Sequence, residues 1–439
     1  MSHAGSSAVQ FAAREMQKDG LPLFGVLNGT DPLQIVVPEF TVRDFTQSSP
    51  LAGYPNVVTM ALVASVDLQI AAGSSITVTG LVGAVAGNNV TLTVKKDGVE
   101  VVMFCVFADG TLTLPLCNTL EASAAYTIQV AITNPDAAQD SPVVRMAASG
   151  TAAFTAAPVT KTGAVLLGVP AGADPLLVIL PGFTEKTLTQ SSVLAGTRNK
   201  ITAALQTNVD LLGASKITLC CFDNAVSVDS SNRVGLRVLG AASTLPRFCP
   251  ASNLTAQSVD IGEWVPNTFE ISFTLCDGVE NKVAAFELIT ISFNITNPTA
   301  RQTAPTIAIS ASGTFLVSGT AVDVTGDSLL GVPNGKDPLQ VEVPKFHQGA
   351  LEQSSPFSDA ANVISLSFAP TVDLEGNRGA VITITGINAG TQPSSTLALL
   401  DEAAPWFCVA GEASKAAYDN VTGTVTFTVL NPTGVDTKP

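Results

Sequence analysis

Residues 29–68 read GTDPLQIVVPEFTVRDFTQSSPLAGYPNVVTMALVASVDL, and the landmarks of this stretch occur three times in the chain. Each copy opens on a Gly-x-Asp-Pro turn, passes a Gln-Ser-Ser triplet and closes on Val-Asp-Leu. The opening and closing aspartates are Asp31 with Asp67, Asp174 with Asp210, and Asp337 with Asp373. The two aspartates lie 36 positions apart in every copy, without insertion or deletion. This regularity makes a tandem repeat the organising feature of the chain.

The segments between these landmarks alternate apolar and polar residues. Residues 76–79, 90–94 and 127–132 are examples. A period of two with one apolar face is typical of sandwich strands, and no segment shows a helical period. Pro32 and Pro38 bound residues 33–37, which predicts a short edge strand there. We therefore predict an all-β chain of three tandem immunoglobulin-like (Ig-like) β-sandwich repeats.

The repeat frame also predicts the domain boundaries. An N-terminal segment (1–22) precedes repeat 1 (23–150), repeat 2 (151–313) and repeat 3 (314–439), with short linkers near 151–163 and 314–327. The opening aspartates are separated by 143 and then 163 positions. Repeat 2 therefore carries about 20 additional residues, which we place after Asp210 as loops or hairpins.

The two ends of the chain do not match the repeat frame. Residues 6–13 resemble the final strands at 141–148 and 304–311, and the segment includes Ser7, Val9, Phe11 and Ala13. Residues 424–430, followed by Asn431-Pro432, resemble residues 127–132 before Asn134-Pro135, which leaves repeat 3 one strand short. Either the sequence is cut from a longer array, or residues 6–13 of one molecule complete repeat 3 of the next by strand addition. The second alternative gives a head-to-tail polymer of this chain or of related repeat proteins.

Composition narrows the function classes. Hydrophobic residues make up 46% of the chain, charged residues 13%, and the net charge is −15. An acidic chain without basic clusters argues against nucleic acid and anionic membranes as partners. No apolar run is long enough to predict a membrane span.

The sequence contains little catalytic chemistry. His3 and His347 are the only histidines, and neither recurs between repeats. Metal-spaced Cys/His clusters, phosphate-binding loops and dinucleotide motifs are absent from the sequence, so we predict no enzyme activity and no cofactor. The six repeated aspartates are weak calcium candidates, and capping of their own turns is the favoured interpretation. We expect Gln47, Gln190 and Gln353 to bind backbone at a strand crossing.

Cysteines and sequons provide candidate modification sites. Cys105 and Cys117 form one candidate disulfide, and Cys249 has Cys220, Cys221 or Cys276 as partner; buried free thiols are the alternative. Phe-Cys pairs recur at Cys105, Cys249 and Cys408. Five Asn-x-Ser/Thr sequons permit glycans, at Asn28, Asn89, Asn253, Asn294 and Asn420.

The repeated motifs resemble the tandem Ig-like repeats of very large extracellular surface and appendage proteins of unicellular algae, including hair-like filaments of the mastigoneme type. The resemblance rests on Gln47-Ser-Ser-Pro50, Val66-Asp-Leu68, residues 75–80, and residues 293–298 leading into 304–313. It covers nearly all of residues 23–439 and implies an extracellular structural or adhesive role, with no functional site carried over. Cys220-Cys221, where Thr79-Gly80 stand in repeat 1, departs from the pattern.

The sequence therefore predicts a structural repeat subunit of an extracellular filament, hair or cell-surface coat. The first alternative is a calcium- or carbohydrate-dependent adhesin, for which Trp264 and Trp406 are the only tryptophans. The second alternative is a non-catalytic accessory region of a larger secreted protein.

Overall fold

A computed structural model of the chain describes residues 12–86, 89–96, 99–227, 231–239, 247–255, 260–278, 281–376, 379–388 and 392–430, without the side chains of residues 89–92 and 100–105. The described residues form 31 strands and two short 3₁₀-helices, at Ile70–Ala72 and Ala404–Trp406. Strand formation follows the alternation in the sequence. In Tyr126–Thr133, for example, every second side chain is buried. The predicted all-β class, with tandem β-sandwich repeats, is confirmed.

Repeat 1 forms ten strands, which are β1 (Phe40–Gln47), β2 (Pro55–Ala64), β3 (Ser75–Thr79), β4 (Asn89–Lys96), β5 (Val99–Ala108), β6 (Thr111–Pro115), β7 (Tyr126–Thr133), β8 (Arg145–Ser149), β9 (Phe154–Pro158) and β10 (Thr160–Lys161). Their order is β10-β1-β2-β7-β4-β5-β6-β3-β8-β9. Strand β5 pairs with β4 and then, at its end, with β6, so it links the two faces of the sandwich.

Repeat 2 forms thirteen strands, which are β11 (Phe183–Gln190), β12 (Arg198–Thr207), β13 (Lys216–Cys220), β14 (Val226–Ser227), β15 (Arg233–Gly235), β16 (Arg237–Leu239), β17 (Phe248–Cys249), β18 (Ile261–Val265), β19 (Glu270–Leu275), β20 (Ile289–Thr296), β21 (Ala308–Ser312), β22 (Val317–Ala321) and β23 (Asp323–Val324). One sheet has the order β14-β20-β12-β11-β23 and the other β15-β18-β19-β13-β21-β22. Between β13 and β18, repeat 2 has the four small strands β14 to β17, where repeat 1 has β4 and β5 between β3 and β6. Phe222, Phe273, Phe293 and Trp264 pack between the sheets.

Repeat 3 forms eight strands, which are β24 (Phe346–Gln353), β25 (Ile364–Pro370), β26 (Val381–Thr385), β27 (Ser395–Ala398), β28 (Phe407–Val409), β29 (Glu412–Ala413), β30 (Lys415–Asp419) and β31 (Thr424–Val429). Strands β24 and β25 form one sheet and the other six strands form the second. Every residue of β24 is exposed, whereas β1 and β11 each bury part of their length.

The predicted linkers are instead parts of the preceding sandwiches. Strand β9 pairs with β8, and β10 pairs in parallel with β1. Strands β22 and β23 repeat this arrangement on β21 and β11. The chain reverses tightly at Gly150 and Gly313, where the left-handed backbone leaves no room for a side chain beside Ser74 and Ser215. These short strands are rich in Ala and Thr and weakly apolar, so they lack the strong alternation that predicts a strand.

The assignment of residues 424–430 as the counterpart of β7 is wrong. Strand β31 pairs with β26, β28 and β30, as β19 pairs with β13, β17 and β18. Strand β31 is therefore the counterpart of β19. Both candidate counterparts alternate Thr with apolar residues, so the pattern alone did not separate them. Among the described residues, β25 has no neighbour matching β7 or β20.

Candidate functional site

A buried amide network lies at the end of repeat 1. Asn56 Nδ2 donates to Gln47 Oε1 at 2.9 Å and to Asn134 Oδ1 at 2.8 Å. Asn56 Oδ1 accepts the backbone N–H groups of Ser48 and Ser49 at 3.0 and 3.2 Å. Gln47, Asn56 and Asn134 are all almost fully buried. The Gln-Ser-Ser triplet is therefore held by an asparagine that follows the glutamine by nine residues.

The network continues into repeat 2. Gln47 Nε2 donates to the carbonyls of Gly172 and Leu177, both at 2.8 Å. Gln47 Oε1 accepts the N–H of Leu176 at 2.9 Å, and the backbone N–H of Gln47 donates to Ala173 at 3.0 Å. Every donor and acceptor position of the Gln47 amide is used. The prediction that this glutamine binds backbone is confirmed, and the backbone belongs to the next repeat.

The junction between repeats 2 and 3 copies these contacts. Asn199 Nδ2 donates to Gln190 Oε1 and Asn297 Oδ1, both at 2.8 Å. Gln190 Nε2 donates to the carbonyls of Gly335 and Gln340 at 2.8 and 2.9 Å, and Gln190 Oε1 accepts the N–H of residue 339 at 2.8 Å. We call residues 47–56, 190–199 and 353–362 the acceptor ends of the three repeats.

The segment received by each acceptor end begins before the Gly-x-Asp-Pro turn. We call residues 20–37, 163–180 and 326–343 the docking loops. In each, the turn aspartate accepts the N–H of the first glycine at 2.8–2.9 Å, in the pairs Gly20–Asp31, Gly163–Asp174 and Gly326–Asp337. The aspartates of this set therefore close a loop, which is the capping role favoured over calcium.

The closing aspartates support the same loops. Asp67 and Asp210 each accept a backbone N–H, from Ala122 and Ala285, at 2.8 Å. They also lie against docking-loop glycines; a Cβ added at Gly168 would lie 2.3 Å from Asp210 Oδ1, and Gly25 and Gly331 stand in the same relation to Asp67 and Asp373. Among the described residues, no three His, Cys, Asp or Glu side chains come together as a metal site. The six aspartates therefore lie in three separate pairs, with one pair at each docking loop.

Apolar side chains complete each internal junction. Leu176 is 0% exposed and packs in the core of repeat 1, and Leu339 is 0% exposed in the core of repeat 2. In return, Leu51 of repeat 1 is buried in the core of repeat 2. Ile179 exchanges backbone hydrogen bonds with residues 50 and 52 at 2.8 and 3.0 Å. The predicted strand at residues 33–37 is thus wrong for repeat 1, because the matching residues form ladder contacts only against a preceding repeat.

The same elements are uncovered at the two ends of the chain. In the docking loop of repeat 1, Leu33 is 91% exposed and Ile35 is 82% exposed. At the acceptor end of repeat 3, Asn362 Nδ2 donates to Gln353 Oε1 at 3.1 Å, as in the other repeats, yet both residues are exposed. The junction elements therefore exist at both ends without a neighbour.

Cys249 and Cys276 form a disulfide, one of the three pairings considered for Cys249. Cys408, at the position of Cys249 in repeat 3, is a buried free thiol because Leu430 stands at the position of Cys276. Cys117 is an exposed free thiol. The side chain of its candidate partner, Cys105, lies outside the described residues.

Cys220 and Cys221 are free, half-buried neighbours at the end of β13. The hydrogen bond with Cys220, together with burial, raises the pKa of the Cys221 thiol to about 11. A raised thiol pKa keeps the thiolate scarce at neutral pH, which is the opposite of an activated nucleophile. This pair therefore has no catalytic signature.

Three of the five sequon asparagines are exposed, Asn28, Asn253 and Asn420. Asn294 is half-buried in β20, which pairs on both sides, and the side chain of Asn89 is outside the described residues. Of the proposed strand-exchange residues, Ser7, Val9 and Phe11 also lie outside the described part, and Ala13 is exposed. In the described part of the chain, no helix has the length and apolarity to cross a membrane.

Among known proteins, the chain is similar to solved structures of low sequence identity. No protein-family model and no curated protein matches it. Similar solved structures include the C-terminal domain of the AgI/II polypeptide BspA of Streptococcus agalactiae (8% identity, 66% of this chain and 98% of that chain, TM-score 0.36). The chain is also similar to the collagen adhesin CNA of S. aureus (15% identity, 65% of this chain and 91% of that chain, TM-score 0.21). A third similar structure is a form of BcpA, the major pilin subunit of Bacillus cereus (11% identity, 81% of this chain and 85% of that chain, TM-score 0.22). At these TM-scores the likenesses carry no argument about function, and the algal resemblance stays a prediction.

One part of the junction has a signal in the sequence. Asn56, Asn199 and Asn362 each follow the repeated glutamine by nine residues. An asparagine and a glutamine at one fixed spacing in every copy indicate a side-chain pair. Their acceptors in the next repeat have no such local signal.

Proposed function

We propose that this protein is a structural repeat subunit of an extracellular filament, hair or cell-surface coat, which assembles head-to-tail. The observation that carries the proposal is the pair of internal junctions, each built from one buried amide network and one docking loop. Sandwiches joined in this way have no free linker between them. Buried hydrogen bonds cross each of the two internal junctions, which suits a part that transmits load.

The cysteines and the surface support an extracellular location. A disulfide such as Cys249–Cys276 persists in oxidising environments outside the cytosol. Exposed sequons at Asn28, Asn253 and Asn420 leave room for glycans, and the scarcity of charge matches a surface coated with hydroxyl groups. A non-catalytic role agrees with the contacts of Gln47 and Gln190, which bind backbone across the junctions, and of Asp31, Asp174 and Asp337, which bind backbone within the docking loops.

We also propose repeat boundaries after Lys161 and Val324, where the strands that return to each sandwich end. The adhesin alternative gains no specific support. Trp264 is 3% exposed in the core of repeat 2, so it offers no sugar-stacking surface. Five of the six carboxylates proposed for calcium, all except that of Asp373, already accept backbone N–H groups.

The proposal is tested by the shape of the three-repeat chain in solution. Small-angle scattering should show one fixed angle at each junction, and Gln47→Ala with Gln190→Ala should broaden the distribution of maximum dimensions. Immunogold labelling of source cells should decorate surface filaments or coat. A wild-type chain that behaves as freely jointed beads, or label confined to the cell interior, would contradict the proposal.

A further inference from the structure

We propose that the docking loop of repeat 1 binds the acceptor end of repeat 3 in a second copy of this chain. The inference rests on the proposed structural function and specifies its interface. Both internal junctions of the chain serve as templates for it. The occupant of the docking surface is therefore defined by residues that this chain itself carries at its other end.

The docking loop of repeat 1 has the docked conformation before any partner is present. Gly20 N–H is bound to Asp31 at 2.9 Å, as in the two buried loops. Each loop also holds three non-glycine residues in the left-handed region at matching positions, with φ angles that differ by 11° or less: Phe24 (50°), Asn28 (55°) and Leu33 (67°), then Leu167 (51°), Ala171 (53°) and Leu176 (56°), then Leu330 (51°), Asn334 (56°) and Leu339 (63°). Association therefore does not have to reshape this loop, which lowers its ordering cost.

The apolar side chains of the repeat 1 docking loop are exposed, whereas their counterparts at the internal junctions are buried. Leu176 and Leu339, the internal counterparts of Leu33, are 0% exposed, whereas Leu33 is 91% exposed. Val178 and Val341, the counterparts of Ile35, are 2% exposed or less, whereas Ile35 is 82% exposed. Aliphatic side chains at these positions face water in an isolated molecule. Such an uncovered apolar segment marks an interaction surface.

The acceptor end of repeat 3 offers the matching half. Asn362 Oδ1 accepts the N–H groups of Ser354 and Ser355, both at 3.1 Å, as Asn56 and Asn199 do in the other acceptor ends. The amide nitrogen of Gln353, whose counterparts donate to two carbonyls of the next repeat, finds no acceptor among the described residues. Phe357, at the position of the buried Leu51, is 78% exposed.

The proposed interface also includes the outer edge of β24, which is the edge that does not pair with β25. In repeats 1 and 2 the same edge pairs in parallel with β10 and β23, which immediately precede the docking loops. Counting back from Gly20 as from Gly163 places Gln17 and Lys18 at the positions of β10. Met16 then takes the place of a buried valine, Val159, and is itself 90% exposed.

The template predicts a register. The pair Asp44↔Thr160 of repeat 1 becomes Ala350 of one copy opposite Gln17 of the next. This alignment replaces the one that matched residues 6–13 to the β8 segment, because the spacing to Gly20 matches them to the segment before β10.

The inter-copy junction is smaller than the internal ones. At the internal junctions a second group of bonds comes from the segment after β7 or β20, where Gln139 and Gln302 exchange backbone hydrogen bonds with the docking loop. The described part of repeat 3 has no counterpart of that segment. Self-association through the β24 side alone should therefore be reversible and concentration-dependent.

Two blocked variants test the interface in solution by sedimentation velocity. Leu33→Asp with Ile35→Asp blocks the docking loop, and Gln353→Arg blocks the acceptor end. Wild type should associate as concentration rises, each blocked variant should weaken association about 100-fold, and their mixture should give a species of twice the 44.9 kDa monomer mass. Val421→Asp is the matched control, because Val421 is 91% exposed but lies outside both surfaces; it should associate as wild type does.

Cross-linking tests the register. With Cys117→Ser as background, Gln17→Cys in one chain and Ala350→Cys in another should form a disulfide-linked dimer on mild oxidation. Ser367→Cys, which lies opposite Ala350 on β25 and so one strand further from the edge, should not.

The outcomes separate this inference from the proposed function. A wild-type chain that stays at monomer mass at all concentrations overturns the inference, whereas the scattering test of fixed internal junctions is unaffected. Association that the blocked variants do not weaken overturns the interface and leaves assembly in place. Equal cross-linking through Ser367→Cys overturns the register.

Discussion

The substitution Gln190→Ala should loosen the junction between repeats 2 and 3 and leave the junction between repeats 1 and 2 intact. The Gln190 side chain is 6% exposed and makes four hydrogen bonds. Three of them cross the junction, to the carbonyls of Gly335 and Gln340 and from the N–H of Leu339. Truncation to Ala removes all three and leaves their partners facing a cavity.

The magnitude follows from the three bonds that are lost. A buried intramolecular hydrogen bond contributes about 1 kcal/mol net, so the free energy of junction opening should fall by about 3 kcal/mol. At about 1.4 kcal/mol per factor of ten, the open fraction should rise by on the order of a hundredfold. Water entering the cavity would make the loss of junction free energy smaller, and carbonyls left without a donor would make it larger.

Amide hydrogen exchange measures this opening without unfolding the whole chain. The reporters are Val341 and Glu342, whose N–H groups bind across the junction at 2.9 and 2.7 Å without touching Gln190. Both should exchange on the order of a hundredfold faster in Gln190→Ala. Val178 and Ile179 make the matching bonds at the first junction and should not change.

Gln353→Ala is the matched control, because the same residue type at the same position of repeat 3 is exposed in a single chain. It should leave both sets of reporter amides at wild-type rates. Unchanged exchange at Val341 and Glu342 in Gln190→Ala would refute the view that the amide network holds the repeats together. Equal acceleration at both junctions would show instead a global loss of stability.

The remaining predictions concern the interior and the thiols. Cys249→Ser opens a disulfide loop spanning 27 residues and should lower the stability of repeat 2 by about 3 kcal/mol; denaturant unfolding followed by tryptophan fluorescence measures it, and an unchanged midpoint would count against it. Gly168→Ala places a Cβ 2.3 Å from an aspartate oxygen at φ 75°, so it should cost more than about 2 kcal/mol. Gly73→Ala, at φ 63° with open space around the Cβ, should cost only about 1 kcal/mol, and equal losses would exclude the steric cause. Because the pKa of Cys221 is raised to about 11, its alkylation should be slow at pH 7.5 and should rise about tenfold per pH unit until that pKa; a flat profile between pH 8 and 10, read by mass spectrometry, would contradict this.

The sequence was sufficient for features that depend on local pattern. Period-two alternation predicted strands such as β7, and the fixed spacing of the aspartates gave the repeat frame. Asp31 and its counterparts cap their loops through backbone N–H groups, as turn chemistry predicts. These features depend on neighbours that are close in sequence.

The junction could not be predicted in full, because its partners are remote in sequence. Gln47 bonds to carbonyls 125 and 130 residues away, and no local pattern encodes that distance. The assignment of β31 was wrong for a related reason. Two strands with the same Thr-apolar alternation differ only in which neighbours they pair with, and pairing is a property of the whole sandwich.

The internal junctions make each repeat incomplete without its neighbours. Leu176 fills the core of repeat 1 although it belongs to repeat 2, and Leu339 fills the core of repeat 2 although it belongs to repeat 3. Each junction therefore adds an interface free energy to the intrinsic stabilities of the two repeats that it joins, as in nearest-neighbour repeat arrays. Leu33 is the one such side chain with no core to enter within this chain. The burial of Leu176 and Leu339 is therefore the template for the inter-copy contact that we propose for Leu33.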